Sequence, residues 1–360
     1  LPEGAILLRN LIDRAAKAER FIFLEYFILA EGKLWDELEK ILCAKAREGV
    51  EVKIIFDDFG NIKRFSGETI DRLREVGVEV FIFNPVHEYV NRLHFNYRDH
   101  RKIACIDGDV AYTGGVNIAD EYANIIERFG YWKDSGVCLE GEGAWGLTAS
   151  FIRMCVNLGG VMHNEHDYYR PHTPVKSEGF CQPFTDGPQN NPDNPAEDVF
   201  LQMISGARRF LYITTPYFIP VESLMRALCI AGDGGVDVRL MLPGKPDHWY
   251  ADCVAESYFG ELIKHGVKVY RYTPGFLHGK SIMVDREAAF VGSANMDYRS
   301  FELDYECGVM VYSAPMIESL LEDMDMIVDH SRLVTAEEWA KRSVLRRVFE
   351  PLLRLFAIWM

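Results

Sequence analysis

Four sequence blocks occur twice in the chain, in the same order, and this internal repeat constrains the fold more than any other feature. The first half contains AKAERFIFLEYFIL, AREGVEVKIIF, LREVGVEVFIFNP and HRKIACIDGDVAYTGGVN, and the second contains SGARRFLYITTPYFIP, GDGGVDVRLML, LIKHGVKVYRYTP and HGKSIMVDREAAFVGSAN. Tyr26 in the first block is matched to Tyr217, and the last pair of blocks keeps a constant offset of 178 residues. The repeat predicts two copies of one folding unit.

Helices and strands alternate within each copy. Each strand-like GV block is rich in β-branched residues and follows an amphipathic helix that ends at a glycine. Such alternation favours a largely parallel sheet in each half. We therefore predict a duplicated α/β fold. The predicted parts are a first half at 1–163, a Pro-rich linker at 164–195, a second half at 196–340 and a C-terminal segment at 341–360.

The linker is the most turn-rich part of the chain, because six of the fifteen prolines fall between Pro171 and Pro195. We expect a surface loop there rather than core. The linker and the residue just before it carry a set of possible metal ligands, namely His163, Glu165, His166, Asp167 and His172. Their spacing fits no dedicated metal site well, so we predict neither a metal nor another cofactor.

The last pair of blocks carries the same polar residues at the same spacing. The first copy has His100, Lys102, Asp107 and Asn117, and the second has His278, Lys280, Asp285 and Asn295. Residues two apart on a strand point to the same face, so the histidine and lysine of each copy are expected to reach one ligand. A turn and a returning strand bring each asparagine back to that end.

An imidazole, an ammonium and an amide that converge twice are suited to phosphoryl transfer without a metal. One histidine can attack phosphorus, while the other protonates the leaving alkoxide and then deprotonates the acceptor. The lysines and asparagines can offset charge on the non-bridging oxygens. A single HxK would mean little, but two copies in register with GGxN and GSxN predict an enzyme.

These motifs resemble a known family. HxKxxxxD followed by G-[GS]-x-N, present twice, is the signature of the phospholipase D superfamily. NYRDHRKIACIDGDVAYTGGVNIADEY, GYWKDSGVCLEG, TPYFIP, LPGKPDH, GFLHGKSIMVD and GSANMDYRSFELDYE resemble bacterial cardiolipin synthases over nearly the whole chain. The resemblance implies two phospholipase D-like halves, with two mixed β-sheets that are flanked by helices and face each other across one cleft. It places one active site at their interface, formed by both HxKxxxxD motifs. It also implies that His100 is the nucleophile and His278 the general acid and base, with Asp107 and Asp285 supporting the site structurally.

Two further acids occupy equivalent repeat positions, Asp134 in WKDSGV and Glu306 in DYECGV. By analogy with the superfamily, each is expected to bind Nδ1 of the histidine of the other half and so fix its tautomer. The alternative is an ordinary surface acid at the start of a strand. Asp99 and Asp304 stand where cardiolipin synthases commonly have Asn, which puts the fine head-group preference in question.

The formal net charge of −15 disfavours nucleic acid as a partner and would repel an anionic membrane unless basic groups gather locally. Arg92, Arg98, Arg101 and Lys102 against Asp99 predict such a patch beside the first motif, a solvated loop being the alternative. Residues 341–360 are basic and amphipathic, which is typical of an interfacial helix, although docking on the protein's own core would leave the same pattern.

The resemblance implies cardiolipin synthesis from two phosphatidylglycerol molecules, with release of glycerol and a phosphatidyl-histidine intermediate. The alternatives are a phospholipase D or a phosphatidyltransferase with another acceptor, a nuclease, and a non-catalytic lipid-binding scaffold. The net charge disfavours the nuclease and the two intact motifs disfavour the scaffold. The oligomeric state stays open.

The implied location is the bacterial cell membrane, with the catalytic part peripheral or anchored by an N-terminal segment that precedes this chain. No run of 18 apolar residues occurs in the sequence. The eight cysteines are scattered without a CxxC pair, so we expect reduced thiols.

Overall fold

The computed structural model describes residues 1–86, 96–165, 167–176, 179–312, 315–343 and 352–354. In the first half the helices are α1 (Gly4–Ala15), α2 (Lys33–Arg47), α3 (Asp58–Asn61), α4 (Gly67–Glu75) and α5 (Trp145–Asn157). The strands are β1 (Phe21–Tyr26), β2 (Glu51–Asp57), β3 (Glu79–Phe83), β4 (Arg98–Asp99), β5 (Lys102–Ile106), β6 (Val110–Gly114), β7 (Tyr131–Lys133) and β8 (Gly136–Glu140).

The second half repeats the order of strands and helices found in the first half and has further strands and helices of its own. Its strands are β9 (Phe180–Asp186), β10 (Phe210–Thr214), β11 (Phe218–Ile219), β12 (Asp237–Pro243), β13 (Lys268–Tyr272), β14 (Gly275–Leu277), β15 (Ser281–Val284), β16 (Ala288–Gly292), β17 (Met296–Asp297), β18 (Asp304–Tyr312) and β19 (Ser331–Leu333). Its helices are α6 (Pro195–Gly206), α7 (Glu222–Asp233), α8 (Trp249–Lys264), α9 (Tyr298–Glu302), α10 (Met316–Asp329) and α11 (Ala336–Ala340).

The two main sheets share one strand order, which confirms the predicted duplication. The first has the order β3-β2-β1-β5-β6-β8, and the second contains β13-β12-β10-β15-β16-β18 with β19 and β4 at its ends. In both, the first three strands are parallel and the last three are joined by antiparallel pairs. Both sheets are therefore mixed, as expected.

Three hydrophobic layers hold the two units together. Helices α1, α2 and α4 cover the outer face of the first sheet, and α6, α7 and α8 cover the outer face of the second. A shared central layer contains side chains from the inner faces of both sheets together with α5 and α10. Burial of this common core packs the halves as one body, because neither sheet could expose its inner face to water without a large loss of hydrophobic free energy.

The predicted linker at 164–195 is a surface loop only in part. Within it, β9 pairs in antiparallel fashion with β18 over seven residue pairs, and so extends the second sheet. The many prolines favoured a loop over a strand in the sequence analysis. Pro183 is tolerated in β9 because this strand lies at the edge of the sheet, where the missing N–H is not needed for pairing.

Within the described residues no helix is long and apolar enough to cross a membrane. Most of the predicted C-terminal amphipathic helix lies outside the described residues, as does Arg92 of the predicted basic patch.

Candidate active site

Each motif histidine follows a short strand that pairs with a strand of the other half. Strand β4, before His100, pairs in parallel with β18, and β14, before His278, pairs in parallel with β7. The backbone N–H of His100 donates to the Tyr305 carbonyl at 2.9 Å, and that of His278 donates to the Lys133 carbonyl at 2.7 Å. The backbone of each histidine is thus positioned by the opposite repeat.

The predicted contacts between the histidines and the acids of the opposite half are present. His100 Nδ1 lies 2.9 Å from Glu306 Oε1, and His278 Nδ1 lies 2.7 Å from Asp134 Oδ2. Both carboxylates are fully buried, and the two imidazoles keep 13% and 8% of their side-chain surface exposed. An Nδ1–H that donates to a carboxylate leaves Nε2 with a free lone pair, which is the form required of a nucleophile or base.

The two motif lysines lie beside the histidines in the same buried space. Lys280 Nζ lies 3.0 Å from each ring nitrogen of His278 and donates to the His278 carbonyl at 2.6 Å. Lys102 Nζ donates to the His100 carbonyl. Burial lowers the pKa of Lys102 to about 8 and that of Lys280 to about 7. An anionic phosphate beside these ammonium groups would restore their charge.

The imidazoles are neutral at pH 7 in the free protein. Burial, reinforced by the Lys280 ammonium, lowers the pKa of His278 to about 4, and burial together with Lys102 lowers the pKa of His100 well below its usual value. The two acids differ. Burial raises the pKa of Glu306 to about 7, whereas for Asp134 the contacts with His278 and Lys280 outweigh burial and lower the pKa.

The motif aspartates belong to the scaffold of the site. The Asp107 carboxylate accepts backbone N–H groups at the start of β1, from Glu19, Arg20 and Phe21. The Asp285 carboxylate does the same at the start of β10, for Arg208, Arg209 and Phe210. Both aspartates sit in β-turns at a φ of 53°, so each ties a turn of the sheet to its central strand.

The two motif asparagines are placed differently from each other. Asn117 Oδ1 accepts the Ile28 N–H at 3.0 Å, and its Nδ2 donates to the Tyr122 hydroxyl at 2.8 Å. Both ends of the Asn117 amide thus bind protein groups, one N–H of Nδ2 is left over, and a contact with phosphate stays a prediction. Asn295 Oδ1 is buried and has no hydrogen-bond partner among the residues that the structure describes.

The sequence match between Tyr26 and Tyr217 is wrong by two residues in the structure. Leu29 pairs with the residue that follows the first motif asparagine, and Phe218 pairs with the residue that follows the second. Tyr217 therefore corresponds to Ile28. Tyr26 is buried in the outer core of the first half, and the Tyr217 hydroxyl donates to Asp247 at 2.6 Å. The two tyrosines align as identical residues in the sequence, but strand pairing shows that they do not occupy equivalent positions in the two halves.

The predicted basic patch beside His100 is wrong for its described members. Arg98 is buried and binds Asp57 at 3.3 Å, and it forms no part of the solvent-facing surface. Arg101 is also buried, with Nη2 2.5 Å from Glu25 and Nε 3.0 Å from Asp99. The acids on β1 and β2 neutralise both guanidinium groups, so these arginines hold the His100 segment instead of facing a lipid head group.

An aromatic enclosure around His278 was missed by the sequence analysis. The rings of Tyr122, Trp132 and Phe276 lie with centroids 5.4, 5.2 and 5.6 Å from that of His278. His100 has a comparable contact with Phe27 at 5.1 Å. Trp132 in WKDSGV and Phe276 in GFLHGK each lie two residues from a predicted site residue, Asp134 and His278. This proximity in the sequence could have indicated the aromatic enclosure.

One group of possible metal ligands is found among the described residues, formed by His100, Asp304 and Glu306, with ligand atoms within 4.8 Å of one another. Its donor set is already engaged, because Glu306 binds His100 and Asp304 pairs with Arg299 at 3.0 Å. Burial also raises the pKa of Asp304 well above its usual value. The described linker ligands do not form such a group, and His166 lies outside the described residues.

Comparison with known proteins identifies the family. The family model described as "Cardiolipin synthase, PLD-like domain" matches residues 8–125 and 200–328. The chain is 36% identical to the cardiolipin synthase of Halalkalibacterium halodurans over 99% of this chain and 71% of that protein. It is also 36% identical to cardiolipin synthase 2 of Bacillus anthracis, over 99% of this chain and 69% of that one.

A solved structure shows the same fold at lower identity. The phosphatidylserine synthase of Haemophilus influenzae superimposes with a TM-score of 0.71 at 17% identity, covering 99% of this chain and 91% of the other. The twofold match of the family model agrees with the two strand-for-strand sheets and with the site between them. The chain belongs to the cardiolipin synthase family of the phospholipase D superfamily of enzymes.

Proposed function

We propose that the protein is a phosphatidyltransferase that converts two phosphatidylglycerol molecules to cardiolipin and glycerol. The observation that carries the proposal is the reciprocal pairing of His100 with Glu306 and of His278 with Asp134 across the interface of the halves. Two oriented imidazoles in one site can divide the nucleophilic and the acid–base roles. The names of the relatives that cover nearly the whole chain support the choice of substrate.

In the first step, Nε2 of His100 attacks the phosphorus of one phosphatidylglycerol and the bond from phosphorus to the head-group glycerol oxygen breaks. His278, protonated in the complex, donates its proton to that oxygen, so that glycerol leaves. The bound phosphate favours this protonation, because its negative charge opposes the burial that lowers the pKa of His278 in the free protein. The buried ammonium groups of Lys102 and Lys280 stabilise charge on the non-bridging oxygens.

In the second step, a terminal hydroxyl of the second phosphatidylglycerol attacks phosphorus, while neutral His278 accepts its proton. The phosphorus–nitrogen bond to His100 breaks and cardiolipin forms. Asp134 stabilises the imidazolium of His278 in the first step, since its lowered pKa keeps it ionised. Water in place of the lipid hydroxyl would give phosphatidic acid. Because both substrates reside in a bilayer, the protein acts at a membrane surface.

The test is product analysis by mass spectrometry after incubation with phosphatidylglycerol vesicles, with His100→Ala as control. Cardiolipin and glycerol in equal amounts, absent with His100→Ala, are the expected result. Phosphatidic acid alone would contradict synthesis and support hydrolysis. Vesicle binding without any turnover would instead support a non-catalytic role.

A further inference from the structure

Three loops on one side of the molecule carry exposed apolar side chains, and we name them the entrance rim. The first loop, residues 58–65, follows β2 and includes the short helix α3. The second, residues 124–131, ends at the first residue of β7. The third, residues 245–250, follows β12 and includes the first two residues of α8. The exposed residues are Phe59 (59%), Ile62 (48%), Ile125 (40%), Ile126 (49%), Trp249 (65%) and Tyr250 (38%). A concentration of large apolar groups at one surface is characteristic of an interaction site.

The entrance rim lies next to both motif histidines. Asp57, which ends β2 just before the first loop, accepts the backbone N–H of Asp99 at 2.9 Å, one residue before His100. The second loop leads into Trp132, whose ring contacts His278. In the third loop, Asp247 accepts the Tyr217 hydroxyl, and its charge acts on His278 and Lys280.

Contacts between the loops make the rim one continuous surface. Glu121 pairs with Arg64 of the first loop and with Arg128 of the second, at 3.2 Å in each case. The second loop also touches the third, because a Cβ built on Gly130 would lie 3.0 Å from Lys245 Nζ. The exposed apolar groups therefore belong to one face.

The charge of the rim differs from that of the whole chain. The rim has four basic residues, Lys63, Arg64, Arg128 and Lys245. Against them stand its acids Asp58, Glu127 and Asp247 together with Glu121, which pairs with two of the basic residues. The rim is therefore close to neutral, whereas the chain as a whole has a net charge of −15. The hydrogen bond with Asp247 also raises the pKa of His248, so acidification adds a positive charge here. An anionic surface that the rest of the protein repels is thus tolerated at this face.

We propose that the entrance rim docks the protein on a bilayer of anionic phospholipid, with the two histidines facing the head groups. Tryptophan and tyrosine favour the head-group level of a bilayer, and phenylalanine and isoleucine insert below it. The proposal rests on the proposed function, since a lipid substrate requires the site to meet the membrane. It replaces the buried Arg98 and Arg101 as the membrane contact of the described residues.

The test is co-sedimentation with vesicles of phosphatidylglycerol and phosphatidylcholine. The double variant Ile126→Ser/Trp249→Ser is compared with Ile230→Ser/Phe180→Ser, which likewise removes one exposed isoleucine and one exposed aromatic ring, here from α7 and β9. We expect the rim variant to lose about tenfold or more in vesicle partitioning and the control about twofold or less. Equal losses, or unchanged binding by the rim variant, would overturn the docking proposal.

Two further measurements separate docking from catalysis and from self-association. Hydrolysis of a short-chain phosphatidyl substrate below its micelle concentration should be equal in wild type and in the rim variant, because the site itself is intact. If wild type binds vesicles through the rim but turns over no phosphatidyl substrate, docking stands and the proposed function fails. Sedimentation velocity without lipid is expected to be unchanged by the substitutions. A rim variant that dissociates an oligomer would show that a second copy covers this face, and would overturn docking.

Discussion

The two halves of the site carry the same motif but support their histidines by different physical means. Beside His100, the segment is held by buried ion pairs, in which Arg98 binds Asp57 and Arg101 binds Glu25. Beside His278, the enclosure is aromatic. With the constant offset of the repeat, Phe276 stands where the first half has Arg98, and Gly279 stands where it has Arg101. One repeat is thus stabilised by paired charge and the other by packed rings.

The two acids that bind the histidines, Glu306 and Asp134, also differ in their other hydrogen-bond partners. Glu306 binds His100 with one oxygen and accepts the Ser293 hydroxyl with the other. Asp134 binds His278 and accepts the backbone N–H of Ser135 at 2.9 Å, and Gly115 stands at the repeat position of Ser293. Asp134, whose side chain is shorter than that of Glu306, leaves no room for a side chain at position 115, so this position is a glycine. Duplication preserved the reacting groups, while their surroundings diverged, so equivalent substitutions should have unequal effects.

The largest inequality is expected between the two acids. Asp134→Asn should lower kcat by about 10³-fold or more, because an ionised aspartate stabilises the imidazolium of His278. Glu306→Gln should lower it by about 10- to 100-fold, since with a pKa of about 7 this acid is half protonated at neutral pH. Steady-state kinetics on phosphatidylglycerol vesicles measures both, with melting temperatures as the control for folding. Equal losses would show that the two half-sites are electrostatically alike.

The next largest difference between the two halves is expected in the free energy of unfolding. Arg101→Met leaves Glu25 and Asp99 buried without their cation, and should cost about 3–5 kcal/mol of unfolding free energy. Phe276→Leu in the aromatic half keeps an apolar group but loses the ring contacts with Trp132 and His278, and should cost about 1–2 kcal/mol. Urea denaturation gives both values. If adding Glu25→Gln to Arg101→Met restores no stability, the charge-pair explanation fails.

A smaller effect is expected at the two small residues beside the acids. A Cβ on Gly115 would lie 2.2 Å from Asp134 Oδ1, so Gly115→Ala must displace that carboxylate from His278 and should lower kcat by about 30- to 100-fold. Ser293→Ala removes the hydrogen bond to Glu306 and the acceptor of the Cys307 N–H but displaces no carboxylate, and should lower kcat by about three- to tenfold. Crystal structures of both variants would check the displacement. A Gly115→Ala enzyme with an unmoved Asp134 and full activity would contradict the steric explanation.

The smallest expected effect is a pH dependence of stability. The pKa of Glu306 is raised in the folded state, so folding favours its protonated form, and stability falls as pH rises from about 4.5 to about 7. Glu306→Gln removes this fall and should gain on the order of 1–2 kcal/mol relative to wild type between pH 5 and pH 8.

Asp134→Asn is the contrasting case. The pKa of Asp134 is lowered, so the stability that its charge contributes is present above its ordinary value near 3.8 and is lost only below it. Between pH 5 and pH 8 the difference from wild type should therefore be constant. Thermal melts at several pH values compare the two variants, and equal slopes for both would contradict the assigned charge states.

The sequence was sufficient for the parts of the fold and site that the repeat encodes. The motif spacing predicted that the histidine and lysine of each half lie together, because strand geometry and duplication determine where such side chains lie. The pairing of each acid with the histidine of the other half was implied by the resemblance to the superfamily. Prediction from the sequence failed where contacts between distant segments determine the position of a side chain. Arg98 and Arg101 were expected at the surface, since nothing local reveals that acids on β1 and β2 meet them.

Other failures have similar causes. Strand β9 depends on the exposed edge of β18 rather than on its own proline-containing sequence. The Tyr217 register depends on the bridge made by Phe218, which identical letters do not indicate. The enclosure of His278 joins rings from three separate segments, and only the folded chain brings them together.

The central claim is that one shared site divides nucleophile and acid between the halves. It is tested by reacting His278→Ala with phosphatidyl-p-nitrophenol, whose leaving group needs no proton. We expect a stoichiometric burst of nitrophenolate and a phosphatidyl group on His100, found by mass spectrometry of peptides after rapid quenching at alkaline pH. His100→Ala should give neither burst nor label. A burst with His100→Ala and the label on His278 would contradict the assignment, and turnover without any labelled histidine would contradict the covalent route.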